Sequence, residues 1–367
     1  MKSNYLYSVT DKALYDGLNQ HKITSNHIVD MFLKRGVLVS KQTLKKSLAQ
    51  SFCRYHHDYY DHQLIAEVLG MTPRKEKITS SFIKTECKAD DFWSAAEDLK
   101  KKIINNNDQC NIYSESGSII IDITYSSLHY EKSEFNQIVK KNAKIEIIKK
   151  DDKYIIRRPD NEKMDDYVDD ILNTLSETEN EVEKKDINLF SVTDPKLRSK
   201  FFNIFVEGIP KYKLKNVSDV FVFNPDCKYN SEDMASLEDG DLPEIKKVSL
   251  KGVSVLDSPE LSDLFKRGFY IWKIRWAIEE NLADPDIFEF EAQFNNMEDF
   301  TGFSYISKGY WKYKGNGEYN KNKSQLEPGQ NSRFITLLEK CALETMELIQ
   351  AEYQGVTIDE HTEKQMA

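Results

Sequence analysis

Paired cysteines, long apolar runs and glycine-rich phosphate loops are all missing from this sequence. Its five cysteines (Cys53, Cys87, Cys110, Cys227, Cys341) are scattered and never form a C-x-x-C pair, so neither a disulfide scaffold nor a zinc ribbon is indicated. The longest strongly apolar stretches, such as Ser118–Asp122, fall far short of the roughly 20 residues that span a bilayer. The opening Met1-Lys-Ser-Asn-Tyr has no apolar block of the kind that directs secretion. No Gly-x-Gly-x-x-Gly and no Walker-type Gly-Lys-Ser/Thr occurs, which leaves nucleotide hydrolysis without a phosphate cradle. Ser116-Gly117-Ser118 lacks the flanks of a nucleophile elbow. The expectation is a soluble, reduced, cytoplasmic protein with no cofactor, no resident metal, no assignable catalytic residue and no membrane contact.

What is present suits a folded chain of two or three domains. The 367 residues are 40% hydrophobic and 31% charged, and 19 Phe, 19 Tyr and 4 Trp can fill a sizeable core. The net charge of −10 is unevenly placed. Residues 1–88 hold 14 of the 51 Lys and Arg against 8 of the 61 Asp and Glu, a net of +6, and the remainder carries −16. Phosphate contacts respond to local potential, which salt screens beyond ~8 Å, so an acidic whole does not exclude a nucleic-acid-binding front end.

Hydrophobic periodicity divides the chain. Residues 1–88 read as short helices with a basic tail. Residues 89–176 open with a helix, Asp91 to Ile104, and continue with a strand at Ser118–Tyr125, a hairpin of Lys144–Lys149 and Lys153–Arg158, and a helix after Pro159. The acidic run 177–186 reads as a linker. Residues 187–354 begin with a helix near Asp194–Val206. They then read as strands at Val217–Phe223, Val248–Val255, Phe269–Trp276, Ile287–Phe294 and Phe303–Tyr313, with a helix at Pro259–Lys266 among them and a final helix from Phe334. Residues 355–367 read as a mobile tail. The fold class expected is α+β: a small helical N-terminal domain, then mixed regions with mainly antiparallel strands.

The densest pattern lies between Ile23 and Phe52. Thr24 or Ser25 can cap a helix whose inward residues are Ile28, Met31 and Phe32, and Gly36 after Lys34-Arg35 can end it in the left-handed conformation. Ser40 is suited to cap a second helix with Leu44, Leu48 and Phe52 inward, leaving Lys41, Gln42, Lys45, Lys46 and Gln50 for solvent or a ligand.

The run Gly36-Val37-Leu38-Val39-Ser40-Lys41-Gln42-Thr43-Leu44-Lys45-Lys46-Ser47-Leu48, with Ile28 and Phe32 upstream, resembles the helix-turn-helix of winged-helix DNA-binding domains. It is most similar to that of arginine-repressor-type regulators, over about 26 residues. The resemblance implies a recognition helix from Ser40 with Lys41, Gln42, Thr43, Lys45 and Lys46 as duplex contacts. It also implies a basic wing from the segment after Pro73, with Arg74, Lys75 and Lys77. Lys45-Lys46-Ser47 replaces the family's Ser-Arg-Asp-like triplet, so base specificity does not transfer, and nothing in residues 89–367 resembles an arginine-binding domain.

Three other constellations compete. Arg54–His62 places His57 with Asp61, and Asp58 with His62, at i,i+4, half of a metal site, although the alternative is an Asp58 helix cap with packed tyrosines. Asp286 with Glu289, Glu291 and Gln293 is a distorted form of the carboxylate set of PD-(D/E)xK nucleases, lacking the lysine, and the alternation of Phe288, Phe290, Ala292 and Phe294 is also that of a half-buried strand. Tyr270, Trp272, Ile274 and Trp276 oppose Lys273 and Arg275 across a strand, which favours core over a stacking platform for single strands.

Three functions follow as expectations. The first is a non-catalytic DNA-binding protein whose acidic body binds a partner or dimerises. The second is a non-catalytic accessory subunit of a larger assembly, such as a bacterial anti-phage or restriction-type system, with the N-terminal domain docking protein. The third is a metal-dependent nuclease centred on Glu289 and Glu291.

Overall fold

A computed structural model describes residues 10–69, 75–129, 135, 138–150, 153–177, 181–226 and 245–366. The fold is α+β, with a large antiparallel sheet. It forms two compact units, each assembled from separate stretches of sequence: Met1–Lys75, Cys87–Glu146 and Asp166–Thr178 in the first, Glu76–Glu86, Ile147–Asp165 and Glu179–Ala367 in the second. The boundaries expected near 88 and 176 have counterparts at 86/87 and 178/179, but the chain also passes between the units at 75/76, 146/147 and 165/166, so neither unit is one continuous stretch.

The first unit begins with four short helices: α1 (Asp11–Asn19), α2 (Ser25–Lys34), α3 (Lys45–Phe52) and α4 (Tyr59–Leu69). Each is too short to persist alone in water, so tertiary packing stabilises them. Leu14, Leu18, Ile28, Met31, Phe32, Leu48, Phe52, Ile65 and Leu69 share one buried cluster with Phe135. Phe32 meets Phe52 edge-on at 5.0 Å. Thr24 caps α2 through a reciprocal box in which its Oγ1 accepts from the His27 amide and His27 Nδ1 accepts from the Thr24 amide. Gly36 sits at φ +72°, the left-handed stop expected of it.

The second helix of the pair departs from expectation. Residues 41–43 form a turn and α3 starts only at Lys45, with Leu44 as an N-cap that supplies no side-chain bond. The Ser40 hydroxyl accepts from the Gln42 amide, and the Thr43 amide donates to the Ser40 carbonyl. Ser40 thus closes a local turn in place of capping a helix, a competition inherent to its short side chain. Leu44 lies outside the helix and is 75% exposed, so the inward Leu44–Leu48–Phe52 stripe loses its first member.

Helix α5 (Ala89–Asn105) buries Phe92, Ala95, Ala96, Leu99 and Ile103, the stripe read from the sequence. It packs on β2 (Gln109–Glu115), which pairs with β3 (Ser118–Leu128) through Ser116 and Gly117, both at positive φ. That is the twist a two-residue hairpin turn needs.

In the second unit the strand order is β5-β1-β11-β10-β9-β7-β8: β5 (Lys153–Pro159), β1 (Ile78–Thr85), β11 (Thr301–Trp311), β10 (Ile287–Asn296), β9 (Tyr270–Glu280), β7 (Tyr212–Phe223) and β8 (Lys247–Lys251). Strand β4 (Ile138–Lys150) contributes its last four residues here and is the neighbour of β5 in the hydrogen-bonded order. Two expectations are corrected. The segment after Pro73, expected as a wing, leads into β1, which pairs with β5, β6 and β11. The acidic run expected as a linker contains β6 (Val182–Asp186), which pairs antiparallel with Ser81–Thr85 of β1.

Helices α7 (Pro195–Glu207), α8 (Pro259–Lys266) and α9 (Pro328–Met366) bury apolar residues in the same cluster as one sheet face. Asp194 and Ser258 cap the first two, each followed by proline at the first helical position. Phe201, Phe205, Trp276, Phe290, Phe294 and Phe303 form an aromatic core of edge-to-face and tilted ring pairs. The tail expected at 355–367 is helical in its backbone to Met366, as the end of α9.

Candidate binding surface

The predicted contacts in the first unit fall into two groups. Lys41 and Gln42 are exposed in the turn before α3, Thr43 is half-buried there, and Lys46 is exposed in the first helical turn. Lys45 has another task. Its ammonium donates to the carbonyls of Asn19 (3.1 Å) and Gln20 (2.6 Å), where α1 ends. A cation at a helix C-terminus satisfies orphan carbonyls and opposes the negative end of the dipole. Burial lowers the Lys45 pKa. These bonds tie α3 to the end of α1 and engage the ammonium expected for a phosphate.

The wing candidates are also redistributed. Arg74 lies outside the described residues. Lys75 is on the surface of the first unit, whereas Lys77 belongs to the second unit and lies 3.3 Å from Glu291.

Around the turn the surface is apolar as well as basic. Leu38 is 87% exposed, Leu44 75% and Leu33 56%, and the same stretch from Leu33 to Lys46 also exposes Lys34, Lys41 and Lys46. Single exposed leucines are ordinary, whereas three so close in sequence, along the end of α2 and the turn before α3, are what a contact surface would use. The sequence hid this because Leu44 fits a helical stripe that the backbone does not form.

The histidine segment is structural. Arg35 can only donate, so its Nη2 fixes His57 Nδ1 as the acceptor at 3.1 Å, and His57 Nε2 then donates to the Phe52 carbonyl at 3.0 Å. Both ring nitrogens are occupied, and no lone pair remains for a metal. Arg35 also pairs with Asp61, whose amide in turn donates to Asp58. Burial lowers the pKa of His57 and of His62, which holds both rings neutral.

Of the carboxylates expected for a nuclease, Glu289 and Glu291 alternate along β10 with Phe288, Phe290 and Phe294, while Asp286 lies just before the strand. Glu291 is surrounded by cations: Arg275 at 2.9 Å, Lys273 at 3.0 Å and Lys77 at 3.3 Å. Burial pushes its pKa up, but hydrogen bonds from Arg275 and Lys273 and the charges of Lys273 and Lys77 prevail and bring it down to about 2. Glu289 pairs with Lys323, and Asp219 with Arg275 at 3.4 Å. Asp286 accepts from the Tyr313 amide at 2.8 Å. Glu289, Glu291 and Asp219 are thus engaged by protein cations and Asp286 by a backbone amide, and among the described residues no three His, Cys, Asp or Glu side chains gather as metal ligands.

No protein-family model and no curated protein matches the chain. The helix-turn-helix resemblance stands on residues 23–52 alone. Tyr270, Ile274 and Trp276 are fully buried, so the aromatic strand belongs to the core rather than to a single-strand platform. Among the described residues no helix is long and apolar enough to cross a membrane.

Proposed function

We propose that the first unit is a non-catalytic docking module that binds an acidic, partly apolar protein surface through the turn between α2 and α3. The supporting observation is the solvent exposure of Leu38 and Leu44 on either side of Lys41 and Gln42. Exposed leucine side chains gain about 1.5–3 kcal/mol each when fully buried, which rewards an apolar partner. Lys34, Lys41 and Lys46 are exposed cations around them, and Lys46 stands at the positive end of α3, so an anionic partner relieves their mutual repulsion. The protein is then an accessory subunit of a larger assembly.

A second reading, contact with duplex DNA, is favoured by the exposure of Lys41, Gln42 and Lys46 ahead of α3. The two readings differ in what they require of the leucines. Co-purification of the tagged full-length protein from its source cells, repeated with Leu38→Ser/Leu44→Ser and with Lys41→Glu/Lys46→Glu, separates them when paired with a duplex mobility-shift assay. Docking predicts a stoichiometric acidic partner retained by the wild type and lost with the leucine pair. DNA contact predicts a duplex shift that weakens steeply with salt, vanishes with the lysine pair and survives the leucine pair.

A further inference from the structure

We infer that the second unit carries a binding cleft for a single-chain anionic amphiphile, a carboxylate or related anion with an apolar tail. The cleft lies between strands β1 and β5 and helix α9, with a volume of about 280 Å³. Its walls are Phe82, Ile155 and Leu343, and three lysines, Lys150, Lys153 and Lys340, line it as well. At roughly 30 Å³ for a water-sized group, this is room for about nine such units, the scale of a medium-length hydrocarbon chain.

The acid in the cleft does not compete with the anion. Glu339 is bound by Arg157 through two bonds of 2.6 Å, and the Ser80 hydroxyl and the Tyr305 phenol (3.2 Å) also donate to it. Arg157 donates further to Thr336 at 2.8 Å. With Glu339 paired to its own guanidinium, the three lysines are the remaining charged side chains in the lining of the cleft. Lys150, Lys153 and Lys340 are all exposed, and Lys340 has only a loose contact with Glu344 at 3.6 Å. An apolar wall with a few convergent charges of one sign is the usual form of a small-molecule site, and here it matches a tail that takes the wall and a head that takes the lysines.

Titration calorimetry of the full chain with sodium dodecanoate, below its micelle concentration, tests this. The expected result is saturable 1:1 binding, at least tenfold tighter than dodecylamine or dodecanol and undetectable with acetate. Lys153→Glu/Lys340→Glu, at exposed positions, should weaken dodecanoate at least tenfold, and Leu343→Glu should abolish binding while the melting temperature holds. Equal affinity for dodecylamine, non-saturable uptake, or unchanged binding in the lysine variant would overturn the inference. Phosphatidylglycerol vesicles form a separate arm: vesicle capture without dodecanoate binding would point to a membrane surface instead and would also overturn it.

Discussion

Glu291 shows how one side chain organises a charged surface. Its carboxylate is nearly buried, yet Arg275, Lys273 and Lys77 hold it ionised, and Lys77 also donates to Gln293. Removing one member of a buried ionic group costs more than forming it gains, because the desolvated partners remain. Glu291→Gln should therefore destabilise the second unit by about 3–5 kcal/mol, read as a lower urea midpoint. The histidines give a second residue-level expectation. His57 and His62 bind protons more weakly folded than unfolded, so their contribution is complete above the free imidazole value of 6.5 and declines as pH falls below it. Thermal melts should show stability dropping from about pH 7 to pH 5, and His57→Gln/His62→Gln should flatten that slope. A wild-type profile flat across this range would contradict the neutral assignment.

At the scale of elements, Gly309 is the tightest constraint. It lies in β11 at φ +114°, and a Cβ there would come within 2.5 Å of the Ser324 carbonyl oxygen. The neighbouring bridge, Tyr310 to Ser324, is closed by two bonds of 2.9 Å and brings Lys323 beside Glu289. Gly309→Ala should displace this strap and cost about 1–3 kcal/mol in urea unfolding. Gly36→Ala, which has open space around its Cβ, should cost about 1 kcal/mol or less from φ alone. Most elements were legible in the sequence because burial follows a period: α5 and α8 lie within two residues of their expected limits, α6 (Glu162–Ser176) follows Pro159 as expected, and the inward phenylalanines of β10 are buried. What escaped were decisions between local options. Ser40 had equal means to cap a helix or close a turn, and a charged five-residue run carried no apolar alternation to mark β6. The candidate surface was legible in its cations and hidden in its leucines, since a fourfold spacing says nothing of where a helix begins.

The whole molecule departs most from a linear reading. Periodicity reports on neighbours within about a turn or a strand, whereas the second unit joins stretches on either side of the 60 residues from Cys87 to Glu146. The +6/−16 division of charge was visible at once, and it places an exposed basic turn on one unit of an otherwise acidic chain. We propose that this turn joins the protein to an acidic partner through its leucines. The most direct measurement is quantitative co-purification of the full-length protein with and without Leu38→Ser/Leu44→Ser, at matched melting temperature. A partner held by the wild type and reduced at least tenfold by the leucine pair is the predicted result. Retention unaffected by the leucines, or a duplex bound just as tightly without them, would contradict it.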